Sequence, residues 1–255
     1  MLEVLLSDLD AASLVLLLGA AALGGFIRGF TGFGGALVVI LVTSVVYGPT
    51  VAVPLASLSG LPPTAHLLPT AIRHCDRRFV LPFGIASLVA MPIGTLVLVE
   101  LDESLMKVAI SSFVLIMVFM LRAGWRLAES PGPLGLLIAG SAAGLVQGST
   151  GVGGPPTVAI ALSSAGTVQQ QRANVIGAVT ILNIGAMPAL WWHGLFTAQV
   201  IVLSLLLMPV YFACTGFGAR YFDTGGHARY RSSVMLLLAA MGLSTLLVSL
   251  RDLLG

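Results

Sequence analysis

An arginine and a glycine-rich segment stand together near the start of this chain, inside an otherwise apolar stretch. Arg28 is followed by small or hydroxylic residues, namely Gly29, Thr31, Gly32, Gly34 and Gly35. Glycine lets the backbone leave helical geometry, and its N–H can approach a ligand with no side chain in the way. A guanidinium group offers two parallel hydrogen bonds to an oxyanion. This combination predicts an anion-binding site.

The same pattern returns 119 residues later, with a glutamine in place of the arginine. That shift places residues 25–35 over 144–154, and six of the eleven positions are identical. The candidate binding residues of the second copy are Gln147, Gly148, Thr150, Gly151, Gly153 and Gly154, followed by Pro155. The same shift also pairs Pro69 with Pro188. We interpret the pattern as an internal duplication, with repeats at 1–127 and 128–255 in one membrane domain.

Each glycine segment precedes a short apolar run, at 36–47 and at 156–165. Where a half-helix begins after a glycine break, its unpaired N–H groups and positive dipole end form an anion site. Pro155 suits the first turn of such a helix, because its missing N–H costs nothing there. We therefore predict two helix N-termini that converge on one anion. The alternative, that the glycines only permit close helix packing, stays open.

Three polar side chains in the apolar runs leave two interpretations open. A buried Arg28 needs a partner or a task, because a charge at the bilayer centre costs about 2.5–3.5 kcal/mol; alternatively, it snorkels to the cytoplasmic surface. His66 is a proton carrier or anion ligand, or else is hydrogen-bonded within the bundle, which we favour. Asn174 is a substrate ligand or joins two helices. No Asp or Glu lies well inside a run, so the site suits an anion.

Composition places the chain in a membrane. Of its 255 residues 57% are hydrophobic and 9% charged, and the mean hydropathy is +1.04. Continuous apolar runs favour helices over a barrel. Ten runs are expected, near 10–28, 35–47, 51–71, 79–99, 104–122, 134–147, 154–165, 172–192, 196–217 and 230–250. The two short ones, 35–47 and 154–165, cannot cross a core about 30 Å thick and are expected to dip in.

Loop charges predict the orientation, because Lys and Arg accumulate on the cytoplasmic side. With the acidic N-terminus outside, nine basic residues fall inside and two outside. Both termini are then extracytoplasmic, and the first run is a retained helix and no signal peptide. Five elements per half make the repeats inverted. The fold class predicted is thus an all-α integral membrane protein with two inverted five-element repeats and glycine-broken short helices, a pattern typical of secondary transporters.

Other functional classes find little support. The small net charge of +2 with scattered basic residues argues against nucleic-acid binding. No catalytic carboxylate pair or metal-ligand cluster is visible, so we expect neither an enzyme nor a cofactor. An anion channel and a non-transporting scaffold remain as alternatives, and a homo-oligomer is left open.

The repeated element Gly-x-x-[Arg/Gln]-Gly-x-Thr-Gly-x-Gly-Gly resembles the sulfite exporter TauE/SafE family, over nearly the whole chain. Members are bacterial and archaeal inner-membrane permeases associated with sulfite, sulfoacetate and other small anions. The resemblance implies an exporter of sulfur-bearing anions, with the glycine segments at 25–35 and 144–154 as the substrate region. A channel, or a permease for a different organic anion, is the alternative. One half rocking against the other would give alternating access.

Overall fold

A computed structural model defines residues 11–102, 132–161 and 166–224, together with residues 105, 106, 108, 109, 112, 163, 164 and 236. Each regular element in these three ranges is an α-helix. In chain order they are α1 Ala11–Thr31, α2 Gly35–Tyr47, α3 Pro49–Ser59, α4 Leu61–His74, α5 Arg77–Glu100, α6 Pro133–Thr150, α7 Gly154–Ala161, α8 Val168–Trp192 and α9 Ala198–Asp223.

Four of these helices, α1, α5, α8 and α9, are long and apolar enough to cross a membrane. The bent pair of α3 and α4 makes a fifth span if it is counted as one. The chain is therefore an all-helical, multi-pass membrane protein. The predicted runs near 104–122 and 230–250 lie outside the described ranges.

The two glycine segments each separate a long helix from a short one. The first short helix, α2, has 13 residues and keeps the predicted bounds. The second, α7, has 8 residues and ends at Ala161, so the predicted run 154–165 is too long. Ser163 and Ser164 continue in a turn, with N–H groups that donate to Ile160 and Ala161. At about 1.5 Å per residue, neither helix alone spans a bilayer.

The run expected over 51–71 is not one straight helix. The chain breaks at Gly60 into α3 and α4, whose axes differ by 49°. Two adjacent prolines, Pro62 and Pro63, begin α4, and neither has the N–H that would continue the hydrogen bonding of α3. The break brings Thr64, one turn into α4, into the protein interior, where it is 2% exposed.

Two close helix pairs hold the bundle together, and each pair joins a helix before residue 127 to one after it. Helix α1 packs on α9, where Gly25 and Gly29 lie against the backbone of Tyr211 and Thr215. We call this contact the α1–α9 seam. Small residues allow backbones in a membrane protein to approach this closely.

The second pair, the α5–α6 seam, follows the same plan. Gly144 and Gly148 of α6 lie against the backbone of Ser87 and Met91 in α5. Since Gly25 and Gly144 are 119 residues apart, as are Gly29 and Gly148, equivalent glycines make equivalent contacts. The packing interpretation of Gly29 and Gly148 thus describes what these two residues do in the structure.

Candidate functional site

The first glycine segment forms a tight turn between α1 and α2. Gly32 and Gly34 have φ angles of 87° and 82°, a backbone conformation that favours glycine. The Thr31 hydroxyl donates to the Ile27 carbonyl at 2.8 Å and accepts from the Phe33 N–H at 3.3 Å. This hydroxyl therefore stabilises the end of α1 and the turn.

The second segment repeats this arrangement between α6 and α7. The Thr150 hydroxyl donates to the Val146 carbonyl at 2.8 Å and accepts from the Val152 N–H at 3.2 Å, and Gly151 has a φ of 70°. Thr31 and Thr150, both predicted as substrate ligands, thus bind backbone groups of the turns.

A small cavity lies where the two turns meet. Its lining comes from both halves of the sequence and comprises Arg28, Gly34, Ala36, Leu37, Gln147, Gly151, Val152, Gly154, Val179 and Asn183. Gly34 precedes α2 and Gly154 begins α7, so the N-terminal ends of both short helices border the cavity. The volume open to a water-sized molecule is about 20 Å³, which is room for one or two water molecules.

Arg28 supplies the positive charge of this cavity. Its side chain is 4% exposed, which excludes the alternative that it snorkels to the surface. One terminal nitrogen, Nη2, donates to the Thr64 hydroxyl at 2.6 Å, whereas Nε is buried with no hydrogen-bond partner. A buried, unsatisfied donor on a cation is costly, and a bound anion would satisfy it.

Thr64 links Arg28 to the second half of the chain. Its hydroxyl accepts from Arg28 and, at 3.3 Å, from the Asn183 side-chain amide, and it donates to the Gly60 carbonyl at 2.7 Å. Thr64 and Asn183 are 119 residues apart, so the repeat offset relates two residues that contact each other directly.

Gln147 occupies the position that Arg28 has in the first copy. Its side-chain oxygen accepts from the Gly153 N–H at 2.9 Å, close to the start of α7. This bond leaves the amide nitrogen of Gln147 as the end that can donate to a ligand in the cavity.

Tyr211 of α9 is a functional candidate that sequence reasoning missed. Its side chain is fully buried, and the hydroxyl lies against Gly35 and faces the Arg28 guanidinium without a well-aligned hydrogen bond. A single tyrosine in an apolar run gives no signal of such a position. Only the α1–α9 seam brings it to Arg28.

The remaining predicted site residues lie elsewhere. His66 is exposed on α4 and contacts Phe212 edge-on at 5.5 Å between ring centroids. The Asn174 side-chain oxygen accepts from the Asp76 N–H at 2.7 Å, at the start of α5. Neither borders the cavity. Of the candidates, the structure brings together Arg28, Gly34, Gln147, Gly151 and Gly154. Gly35, Gly153 and Pro155 are immediate neighbours of these residues in the chain, and Gly32 lies two residues before Gly34.

Arg172 is a second residue whose position the sequence did not reveal. It is one of the nine basic residues that the orientation prediction places on the cytoplasmic side, yet its side chain is 3% exposed. Its guanidinium donates to the carbonyls of Gly29 and Phe30 and lies 3.9 Å from the centroid of the Phe222 ring. A cation at the carbonyl end of α1 is favourable for the helix dipole.

The site as a whole is a cavity inside the helix bundle with a buried cation and two helix N-termini, and no carboxylate is among its described lining residues. Within the described residues, no cluster of three or more His, Cys, Asp or Glu is placed to hold a metal ion. A buried cation beside two helix N-termini is an arrangement whose chemistry suits an anion.

Comparison with known proteins places the chain in a family. The sequence model of the sulfite exporter TauE/SafE family matches residues 17–245, and the chain belongs to that family. It is 29% identical over 251 residues to a probable sulfite/organosulfonate exporter TauE of Cupriavidus necator, covering 94% of this chain and 97% of that protein. No solved structure matches the chain.

Proposed function

We propose that this protein is a secondary transporter that exports a small sulfur-bearing anion, such as sulfite or an organosulfonate, across the bacterial inner membrane. The observation that carries the proposal is the free Nε of buried Arg28 in a cavity bordered by the N-termini of α2 and α7. Family membership and the similarity to a probable sulfite/organosulfonate exporter support the substrate class.

The electrostatics of the cavity favour an anion. Charge interactions are stronger in a low-dielectric interior than in water, so Arg28 attracts a negative group more there than at the surface. The helix N-termini add partial positive charge and backbone donors. The described lining carries no opposing carboxylate.

The volume of the cavity bears on the conformational state. At about 20 Å³ the described cavity is too small for an organosulfonate, which supports a closed conformation that opens to load its substrate. Alternating access includes such a closed state, and because a gated channel can also close, saturable counterflow is the measurement that distinguishes the two. The hydrogen bond between Thr64 and Asn183, and the matching seams, support repeats related by a two-fold axis, which we propose are inverted.

Purified protein in liposomes tests the proposal through counterflow of labelled sulfite and isethionate. We expect saturable exchange by the parent chain and a loss of at least about tenfold in Arg28→Gln, because a charge-assisted hydrogen bond is about 1.5–3 kcal/mol. Arg28→Lys keeps the charge and loses the planar fork, so it should fall between the two. The matched control is Arg73→Gln, since Arg73 is exposed in the last turn of α4.

Two results would contradict the proposal. Equal exchange by folded Arg28→Gln and parent protein would remove Arg28 from the site. Steady voltage-driven anion current without counterflow would show a channel, which is the alternative function.

A further inference from the structure

The described lining of the cavity carries one formal charge. Arg28 provides it, and the equivalent position of the second repeat holds the neutral Gln147. The other described lining residues are uncharged. The two halves are alike in turn geometry but differ in charge.

The described elements around Arg28 add no second charge. Helix α4 presents Thr64 and α9 presents Tyr211, the one titratable group that faces Arg28 from these elements. Helix α2 presents Gly35, and α8 presents Asn183. The other arginine nearby, Arg172 of α8, binds the carbonyls of Gly29 and Phe30 and is not among the described residues that line the cavity.

From this charge count we propose that the site takes its substrate as a monoanion, an inference that rests on the function proposed above. One buried guanidinium neutralises one negative charge. A second negative charge in the same cavity would have no cation to pair with. It would meet only the partial positive charges of the two helix N-termini, which the first charge already shares, and burying a charge without a paired cation is unfavourable in a low-dielectric medium. Gln147 offers only an N–H dipole, because its oxygen is bound by Gly153. Hydrogensulfite and sulfonates with uncharged tails match the charge of this site, whereas the sulfite dianion and carboxylated sulfonates do not.

A comparison of two sulfonates of similar size distinguishes an effect of substrate charge from an effect of substrate shape. Isethionate carries one negative charge, and sulfoacetate carries two at neutral pH. In liposomes with the parent chain, we expect counterflow of isethionate to exceed that of sulfoacetate by about tenfold or more, because the second charge has no partner. Equal rates for the two anions would overturn the inference.

Sulfite provides a second measurement, because it changes from monoanion to dianion near neutral pH while isethionate keeps its charge. Above the pKa of hydrogensulfite, the monoanion fraction falls about tenfold for each pH unit. We expect the rate ratio of sulfite to isethionate to fall in parallel as pH rises. Taking the ratio cancels any effect that titration of Tyr211 has on transport in general. A ratio that does not change with pH would overturn the inference.

A variant at the equivalent position tests the charge count directly. Gln147→Arg adds a second cation, and we expect sulfoacetate counterflow to rise relative to isethionate. Gln147→Met, of similar size and uncharged, should not favour sulfoacetate. If Gln147→Arg fails to fold, the comparison of isethionate with sulfoacetate and the pH dependence of sulfite transport, both measured on the parent chain, still test whether the substrate is a monoanion. If isethionate and sulfoacetate are transported at equal rates, the monoanion inference is wrong and the proposed transport function stands. If no anion is transported, both the monoanion inference and the proposed function are wrong.

Discussion

Thr64 uses its full hydrogen-bonding capacity, and two of its partners, Arg28 and Asn183, come from opposite halves of the chain. Because its hydroxyl fixes Nη2 of Arg28, it sets which edge of the guanidinium faces the cavity. Thr64 is therefore a positioning residue, and its effect on the substrate acts through Arg28.

We expect Thr64→Val to weaken apparent substrate affinity by roughly tenfold, since a buried polar group left unsatisfied costs about 1–3 kcal/mol. Thr64→Ser keeps the hydroxyl and should stay close to the parent. The measurement is the half-saturating concentration of isethionate in liposome counterflow, with folding checked by size-exclusion chromatography. If Val and Ser variants have the same affinity, Thr64 does not position Arg28.

At the residue scale, the sequence predicts the parts of the candidate site that belong to the repeated glycine pattern. Arg28, its counterpart Gln147 and the glycines beside them are found from one repeated pattern. Thr64 and Tyr211 are not, because their roles depend on Arg28, a neighbour that is distant in sequence. A local pattern contains no such information until the helix packing is known.

At the element scale, the bounds of the long helices follow from hydropathy, but the break at Gly60 does not. An apolar run looks continuous whether or not its backbone hydrogen bonds continue, so 51–71 resembles a single span. Pro62 and Pro63, which lie in the first turn of α4, mark the start of a new helix.

Glycines in α9 provide a matched test of the α1–α9 seam. A Cβ at Gly218 would collide with the carbonyl oxygen of Phe26, while a Cβ at Gly216 would meet nothing within 4 Å. We expect Gly218→Ala to destabilise the protein by about 1–3 kcal/mol, as overpacking does. Gly216→Ala should be neutral or slightly stabilising, since alanine is the better helix former.

The measurement is thermal unfolding of each variant in detergent, with both alanines on the same helix and in the same protein background. Similar unfolding temperatures for Gly216→Ala and Gly218→Ala would show that the close approach of α1 and α9 is not needed for stability.

At the scale of the whole molecule, the seams bear on how the protein moves. Rocking of 1–127 against 128–255 as two rigid bodies would have to open both seams, because α1 packs on α9 and α6 on α5. Backbone contacts without intervening side chains are not readily opened and closed. We therefore expect the moving bodies to be the pairs α1 with α9 and α5 with α6, each of which combines helices from both repeats.

The same interlocking predicts how a divided chain behaves. Expressed separately, residues 1–127 and 128–255 each lack the partner for one glycine face of α1 or α6, so we expect neither to accumulate as a stable monomer. Expressed together, they should assemble, and a tag on one half should recover the other in equal amount. Introducing Gly218→Leu into the second half should reduce this recovery, because it blocks the approach of Phe26. Stable, monomeric 1–127 on its own would instead show that each repeat folds independently, and rocking of intact halves would then be the better mechanism.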